Sequence, residues 1–290
     1  MESVRVELGE RRGQAAAMPW AHLRLPPFPQ VAIRVLQLAH DESVQLYHLC
    51  ELIASDPAFA SEVLTIANSV LYAPRYPATS ILQAVTVLGA NTLQGMCVTV
   101  GVRAYLGKAM SRPAMRTLWK HNLACAIVAQ RLAQAGNIDK DTAFTAGILH
   151  DVGRMGLALI QPAAYAALLE KHQGTAETML DAERVLFGWD HCETGRQLVG
   201  EWKLPDELES VVAQHHEAHR TDGAWDLAEL IKVSCALASS IGFAAFPGCQ
   251  SMPFGELLDE LPAREHGLFH VDAETLKEEV VESILAIESM

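Results

Sequence analysis

The sequence predicts an all-α fold, in which an N-terminal bundle of about five helices packs on a longer helical part. Nearly every apolar pattern recurs at three and four residues, which is the period of one helix face, and no region shows convincing strand alternation. Capping residues and prolines precede many of these patterns. Because 50% of the 290 residues are hydrophobic, the chain can bury at least one substantial core.

The N-terminal helices are predicted from their apolar stripes and their start signals. Asp56 followed by Pro57 is a favourable pair for an N-cap and a first helical residue, and Ser80 and Asn91 are suitable N-caps for the next two helices. The expected helices of this part cover about 31–39, 44–53, 57–70, 81–88 and 92–106.

The longer part is predicted to begin at Pro113, after an internal boundary at 107–113. Several of its helices begin at an Asp or a Pro and end at a Gly. The expected ranges are about 113–136, 141–151, a short helix ending at 160, 175–187, 190–202, 205–219, 224–241 and 273–289. The segment 246–262 contains Pro and Gly and is expected to be irregular.

The charge balance excludes two classes of partner. The chain has 22 Lys and Arg against 35 Asp and Glu, a formal net charge of −13, and it contains no basic run. Nucleic-acid phosphates and anionic membrane faces both require clustered basic side chains. We therefore expect neither a nucleic-acid partner nor a membrane partner.

Cysteine usage and the N-terminal residues predict a cytoplasmic protein. The six cysteines form no CxxC pair, and the first residues lack the apolar core of a signal peptide. The stretch between Arg75 and Arg103 has no charged residue, but its polar residues and Gly89 favour two buried helices over a membrane span.

Histidines supply the candidate chemistry. Of the 12 histidines, two pairs are notable, His150 with Asp151 and His215 with His216, while His121 lies one helix before the first pair and His191 lies between the two. Imidazole and carboxylate together suit a hydrolytic Zn, Fe or Mn centre. The alternative is a polar seam between helices, in which each imidazole is satisfied by a neighbouring carbonyl or by a carboxylate such as Glu193 or Glu217.

Longer motifs resemble a known family. GILHDVGR, DHCETG and QHHE are similar to motifs of the HD superfamily of metal-dependent phosphohydrolases. LPPFPQVAIRVLQL, ASDPAFASEVLTIANSVLY and TSILQAVTVLGANTLQGM resemble the N-terminal portion of the HDOD (HD-related output domain) family. The resemblance covers about Pro19–Gly242. It implies an all-α, mostly bacterial family that is tied to response-regulator or cyclic-dinucleotide signalling and is generally regulatory.

The resemblance also implies a set of metal ligands. His121 matches the first metal histidine, and His150 and Asp151 match the pair that names the superfamily. The remaining histidines, His191, His215 and His216, match the extra histidines of a branch that binds two or three metals.

Two other positions bear on catalysis. Cys235 stands where relatives carry a closing aspartate, which makes catalysis doubtful and leaves vestigial or structural metal binding open. Arg154, where many relatives carry Lys, would bind phosphate if the pocket were active.

From these observations we predict a regulatory module of bacterial signal transduction. It would act through protein or ligand binding, with a degenerate HD pocket that contains a divalent Fe, Mn or Zn ion at partial or no occupancy. The expected partner is a signalling protein of a two-component or cyclic-dinucleotide pathway, and a homodimer is left open. The alternative is a metal-dependent phosphohydrolase acting on a nucleotide or cyclic dinucleotide.

Four regions are expected along the chain. They are an N-terminal arm at 1–18, an N-terminal helical subdomain at 19–110, a degenerate HD-like domain at 111–245, and an irregular segment with a C-terminal helix at 246–290.

Overall fold

A computed structural model of the chain describes residues 25–38, 46–69, 71–72, 74–136, 138–217, 226–259, 261 and 271–288. Within these ranges every regular element is helical, apart from an isolated bridge between Gly174 and Cys249, so the predicted all-α class is confirmed. The predicted arm at 1–18 lies outside the described residues.

The helices of the first half follow the predicted order. They are α1 (Gln30–Leu38), α2 (Leu46–Ala54), α3 (Pro57–Ala67), α4 (Ile81–Leu88), α5 (Ala90–Leu106), a 3₁₀ turn (Gly107–Ser111) and α6 (Pro113–Gly136). Asp56 caps α3 through the main-chain N–H groups of Ala58 and Phe59, and Ser80 caps α4 through that of Gln83. Gly89, at a φ of +90°, lets α5 begin directly at Ala90 without the predicted Asn91 cap.

The second half contains elements that the patterns did not predict. Its helices are α7 (Lys140–Leu149), α8 (Val152–Ile160), α9 (Pro162–Lys171), α10 (Ala176–Phe187), α11 (His191–Glu201), α12 (Asp206–Gln214), α13 (Leu227–Ser240), α14 (Phe254–Asp259) and α15 (Ala273–Glu288). Helix α9 was not predicted, and α14 lies inside the segment expected to be irregular. Helix α12 ends at Gln214, before the predicted end at 219, because His215 and His216 leave the helix as turn residues.

The helices that carry the predicted site pack closely on one another. Helix α6 packs on α7 and α13, and α8 packs on α11. A Cβ on Gly147 would lie 2.8 Å from the main-chain nitrogen of Ala126, so α7 can approach α6 this closely only with a glycine there. The close approach brings the C-terminal end of α7, which precedes His150, beside the middle of α6, which carries His121.

The predicted division near residue 110 stays a prediction. The 3₁₀ turn lies at that point, and α5 on one side of it packs on α7 on the other. One continuous cluster of buried apolar side chains extends from Phe28 to Ile287.

The stretch Lys140–Ile160, which forms α7 and α8, is long and apolar enough by length and composition to cross a membrane. However, 89% of the relevant window is buried inside the protein. Packing in the interior accounts for its apolar character. The uncharged stretch between Arg75 and Arg103 forms α4 and most of α5.

Candidate metal centre

The structure brings all six predicted site residues into one buried cluster. They come from the middle of α6, the junction of α7 and α8, the start of α11 and the end of α12. The residues are His121, His150, Asp151, His191, His215 and His216. All are buried except His216, which is partly exposed.

The two oxygens of the Asp151 carboxylate face two different groups of imidazoles. Oδ2 lies 3.6 Å from Nε2 of His121 and 3.8 Å from Nε2 of His150. Oδ1 lies 3.3 Å from Nε2 of His191 and 3.4 Å from Nε2 of His215. Asp151 therefore stands between two sets of nitrogen atoms.

His216 extends the group on the Oδ1 side. Its Nε2 lies 3.0 Å from Nε2 of His191, and its ring centroid lies 4.1 Å from that of His215. Potential ligand atoms of these three histidines and of Cys192 lie within 4.8 Å of one another.

Cys235 lies on the Oδ2 side, as its place in the motif predicted. It projects from α13, and its Sγ is 3.4 Å from Nε2 of His121. Ligand atoms of His121, His150 and Cys235 lie within 4.8 Å of one another. The sulfur thus borders the two imidazoles on the Oδ2 side.

Main-chain carbonyl groups set the tautomers of three imidazoles. A carbonyl oxygen can only accept, so each ring must donate from Nδ1 and carry its free lone pair on Nε2. The pairs are His121 with Phe243 at 2.6 Å, His150 with Gly147 at 2.7 Å and His215 with Val212 at 3.1 Å. In each ring the nitrogen that faces Asp151 is the one able to bind a metal ion.

Glu183 holds the fourth imidazole. Its Oε2 accepts from Nδ1 of His191 at 2.6 Å and from the main-chain N–H of the same residue at 2.8 Å. Its Oε1 accepts from the Tyr165 hydroxyl at 2.6 Å and from Arg154 at 3.3 Å. This carboxylate orients a potential ligand in the way that second-layer carboxylates orient histidines around metals.

Glu183 was not predicted from the sequence, where Glu193 and Glu217 were the carboxylates expected to pair with the histidines. Glu193 forms a capping box with Asp190 at the start of α11. A local signal for Glu183 exists, because it lies between Met179 and Phe187 on the buried face of α10. A carboxylate at such a position needs a buried partner.

Arg154 forms ion pairs with two carboxylates of the cluster. Its side chain is buried, its Nε donates to Oδ2 of Asp151 at 2.6 Å, and its Nη1 lies 3.3 Å from Oε1 of Glu183. The structure thus places the predicted phosphate-binding arginine between two carboxylates of the protein.

Burial keeps most of these imidazoles neutral. It lowers the pKa of His150 to about 3, and it also lowers the pKa values of His121, His215 and His216. A neutral imidazole is the form that binds metal ions.

The neighbours of His191 and Asp151 shift the pKa values of both groups toward their charged forms. For His191, burial and the Arg154 charge lower the pKa, but Glu183 and Asp151 outweigh them and raise it to about 10. For Asp151, burial opposes ionisation, but Arg154 and the surrounding histidines hold its pKa well below the ordinary value.

Unpartnered buried atoms show that the residues fit a metal ion. Nε2 of His150, Nε2 of His215 and Oδ1 of Asp151 have no hydrogen-bond partner among the described residues. Leaving buried acceptors unpaired costs about 1–3 kcal/mol each. Divalent cations would satisfy such atoms, because imidazole nitrogen and carboxylate oxygen are their usual ligands.

Comparisons with known proteins agree with this fold. The sequence profile of the HDOD domain family matches residues 25–218. An uncharacterized protein of Treponema pallidum (strain Nichols) is 24% identical over 196 residues, which are 66% of this chain and 37% of that protein. This chain therefore spans little more than a third of the length of that relative.

Solved structures show the same architecture. A candidate phosphohydrolase from Shewanella amazonensis SB2B superposes with a TM-score of 0.67 and 22% identity, covering 91% of this chain and 94% of its own. An HDOD domain protein of unknown function from Geobacter sulfurreducens superposes with a TM-score of 0.65 and 23% identity, covering 92% of each chain. At this level of identity the likeness concerns the fold.

Proposed function

The chain belongs to the HDOD domain family, and we propose that it is a regulatory module of bacterial signal transduction that acts by binding. Its HD-like pocket would hold a divalent metal ion without turning over a substrate. The observation that carries the proposal is that Arg154 forms ion pairs with Asp151 and Glu183.

A phosphate ester would have to compete for Arg154 with two buried carboxylates. Removing one partner from a buried ion pair costs about 3–5 kcal/mol, because the other charge is left uncompensated. Binding a phosphate through Arg154 would therefore leave the charge of Asp151 or Glu183 uncompensated, at that cost in free energy. The arrangement favours a closed, structural pocket.

The burial of the candidate metal ligands supports the same proposal. His121, His150, Asp151, His191 and His215 are each at most 1% exposed, which restricts the approach of a substrate and of bulk water. Cys235 stands where the resemblance to the HD superfamily implies a closing oxygen ligand. When bound, a metal ion would supply Lewis acidity and bind the unpaired nitrogen and oxygen atoms together.

The module would transmit a signal through contacts with another molecule. We propose a signalling protein of a two-component or cyclic-dinucleotide pathway as the partner and a cytoplasmic location. A homodimer is the alternative assembly. Neither nucleic acid nor membrane is a proposed partner, because of the formal net charge of −13.

Phosphodiesterase assays test the absence of turnover. The chain would be incubated with Mn²⁺, Fe²⁺ or Zn²⁺ and with cyclic dinucleotides, nucleotides or a general phosphodiester. We expect no hydrolysis above background. Hydrolysis that disappears in His150→Ala but persists in His48→Ala, where the histidine is exposed on α2, would overturn the proposal.

Calorimetry with the same nucleotide panel tests binding separately. Saturable heat without turnover would identify the module as a sensor of that nucleotide. Equal heats for the wild-type chain and His150→Ala would place the binding site outside the metal cluster.

The second candidate function is a metal-dependent phosphohydrolase. The observation that favours it is the position of Asp151 between two sets of imidazole nitrogens, which suits one or two adjacent ions that activate water. His121, His150, Asp151, His191, His215 and His216 would hold the ions. The same hydrolysis assay separates the two functions.

A further inference from the structure

Four potential ligand atoms converge on the Oδ2 side of the cluster, and one of them is sulfur. His121 Nε2 lies 3.4 Å from Cys235 Sγ and 3.6 Å from Asp151 Oδ2, and Oδ2 lies 3.8 Å from His150 Nε2. The set comprises two nitrogens, one oxygen and one sulfur. These are the ligand types found in tetrahedral zinc sites.

The separations match the size of such a site. Zinc binds nitrogen at about 2.0–2.1 Å and sulfur at about 2.3 Å, which places neighbouring ligands of a tetrahedron about 3.4–3.6 Å apart. The three distances of 3.4, 3.6 and 3.8 Å lie at or close to that value. The ligand atoms of His121, His150 and Cys235 lie within 4.8 Å of one another, so the sulfur and the imidazoles would have to draw closer to bind one ion.

An unpartnered atom points independently to a ligand here. Nε2 of His150 is fully buried and has no hydrogen-bond partner among the described residues. The Nδ1 of this ring donates to the Gly147 carbonyl, so the Nε2 lone pair is free and faces the group. Asp151 Oδ2 keeps a second lone pair for a metal while it accepts from Arg154.

We infer that His121, His150, Asp151 and Cys235 form a zinc site in which Cys235 is a thiolate ligand. The inference rests on the proposed metal-holding pocket and adds the identity of the ion. On coordination the Cys235 thiol transfers its proton to solvent, and a zinc–sulfur bond replaces the sulfur–hydrogen bond. The two anionic ligands then balance the charge of the ion.

The sulfur explains why the ion would be zinc. Soft thiolate ligands favour zinc, whereas carboxylates and water suit manganese. Replacing the closing oxygen ligand by Cys235 therefore moves the preference away from the harder ions. It also leaves one fewer position for an oxygen ligand on this side.

Cobalt substitution tests the thiolate directly. The full chain would be loaded with Co²⁺ and its near-ultraviolet spectrum compared with those of single variants. We expect a thiolate-to-cobalt charge-transfer band that disappears in Cys235→Ser. The band should persist in Cys249→Ser, a control at another half-buried cysteine, and in Cys192→Ser on the Oδ1 side.

Zinc X-ray absorption provides a second readout. We expect one sulfur at about 2.3 Å in the wild-type chain and only nitrogen and oxygen in Cys235→Ser. In Cys235→Asp, the ratio of zinc to manganese affinity should fall at least about tenfold.

The outcomes separate this inference from the proposed function. A chain that binds zinc with only nitrogen and oxygen ligands, or whose cobalt band survives in Cys235→Ser, overturns the thiolate and leaves the metal-holding pocket standing. A chain that binds no zinc or cobalt overturns both. Hydrolysis by a chain that shows the sulfur ligand overturns only the non-catalytic proposal.

Discussion

Glu183 accepts hydrogen bonds from both the ring and the main chain of His191, at 2.6 and 2.8 Å. The same carboxylate also accepts from Tyr165 and pairs with Arg154, which in turn binds Asp151. One buried side chain of α10 therefore connects the start of α11 to the junction of α7 and α8. It orients a potential ligand without being one.

Replacing this carboxylate should weaken metal binding and the fold together. In Glu183→Gln, the amide presents an NH₂ group to donors and leaves the buried Arg154 charge without one partner. We expect the free energy of unfolding to fall by about 3–5 kcal/mol. Because Arg154 also binds the ligand Asp151, we expect zinc affinity to fall by about 10–100-fold. Chemical denaturation and a metal competition titration measure the two effects.

Asp181→Asn is the matched control for that variant. Asp181 lies on the same helix, its side chain is 81% exposed, and it forms an ion pair with Arg184 at 3.3 Å. We expect a change below about 0.5 kcal/mol and unaltered zinc affinity. Equal effects of the two variants would contradict a positioning role for Glu183.

Removal of the metal ion should destabilise the chain. An ion that binds only the native state adds about 2.7 kcal/mol of stability at a concentration 100 times its dissociation constant. We expect a chelator to lower the denaturation midpoint of the wild-type chain and of His48→Ala. In His150→Ala the chelator should change little, and an equal shift in that variant would show that the stabilising ion binds elsewhere.

Gly153 is predicted to be required for the contact between α8 and α11. A Cβ at this position would lie against the carbonyl oxygen of His191 and 2.6 Å from the main-chain nitrogen of Gly195. In Gly153→Ala the two helices must separate, which should cost about 2–3 kcal/mol and displace His191 from Asp151. Denaturation and zinc affinity both report the change.

Gly200, also on α11, provides the contrast. A Cβ there would meet only Glu209 Oε2, at 3.7 Å, which is an ordinary contact. Because alanine is the better helix former, Gly200→Ala should leave zinc affinity unchanged and add about 0.5–1 kcal/mol of stability. A loss of zinc affinity here as large as in Gly153→Ala would argue against the steric explanation.

Trp202 is predicted to couple the two halves of the chain during unfolding. Its ring stacks on Phe28 at a centroid distance of 4.3 Å and meets Tyr105 edge-on at 5.2 Å. We expect Trp202→Ala to cost about 3–5 kcal/mol and Trp202→Phe distinctly less. Calorimetry of the wild-type chain should show one transition, whereas two separate transitions would support independent domains at 19–110 and 111–245.

Most helices could be predicted from the sequence because their signals are local. The cap of Asp56, the cap of Ser80 and the capping box of Asp190 with Glu193 each involve residues within four positions of one another. Helix α9 escaped prediction although Pro162 opens it, since its apolar residues form no clear stripe. Exposed and half-buried positions outnumber buried ones in this helix, so the pattern of a core-facing helix is weak.

The resemblance to the family motifs also predicted which histidines are candidate ligands and that Cys235 stands in place of an aspartate. The chain alone thus sufficed for the all-α class, the family resemblance and the set of candidate ligands. Those properties depend on residue type, spacing and helix caps, all of which are visible along the sequence.

The chemistry of the cluster depends on contacts that no local pattern encodes. His121 is oriented by the carbonyl of Phe243, 122 positions away, and Arg154 is paired with Glu183, 29 positions away. Only packing of α6, α8, α10 and α13 brings these groups together. Folding therefore settles which nitrogen of each ring is free and whether the arginine can meet a phosphate, because hydrogen-bond partners are chosen by distance in space.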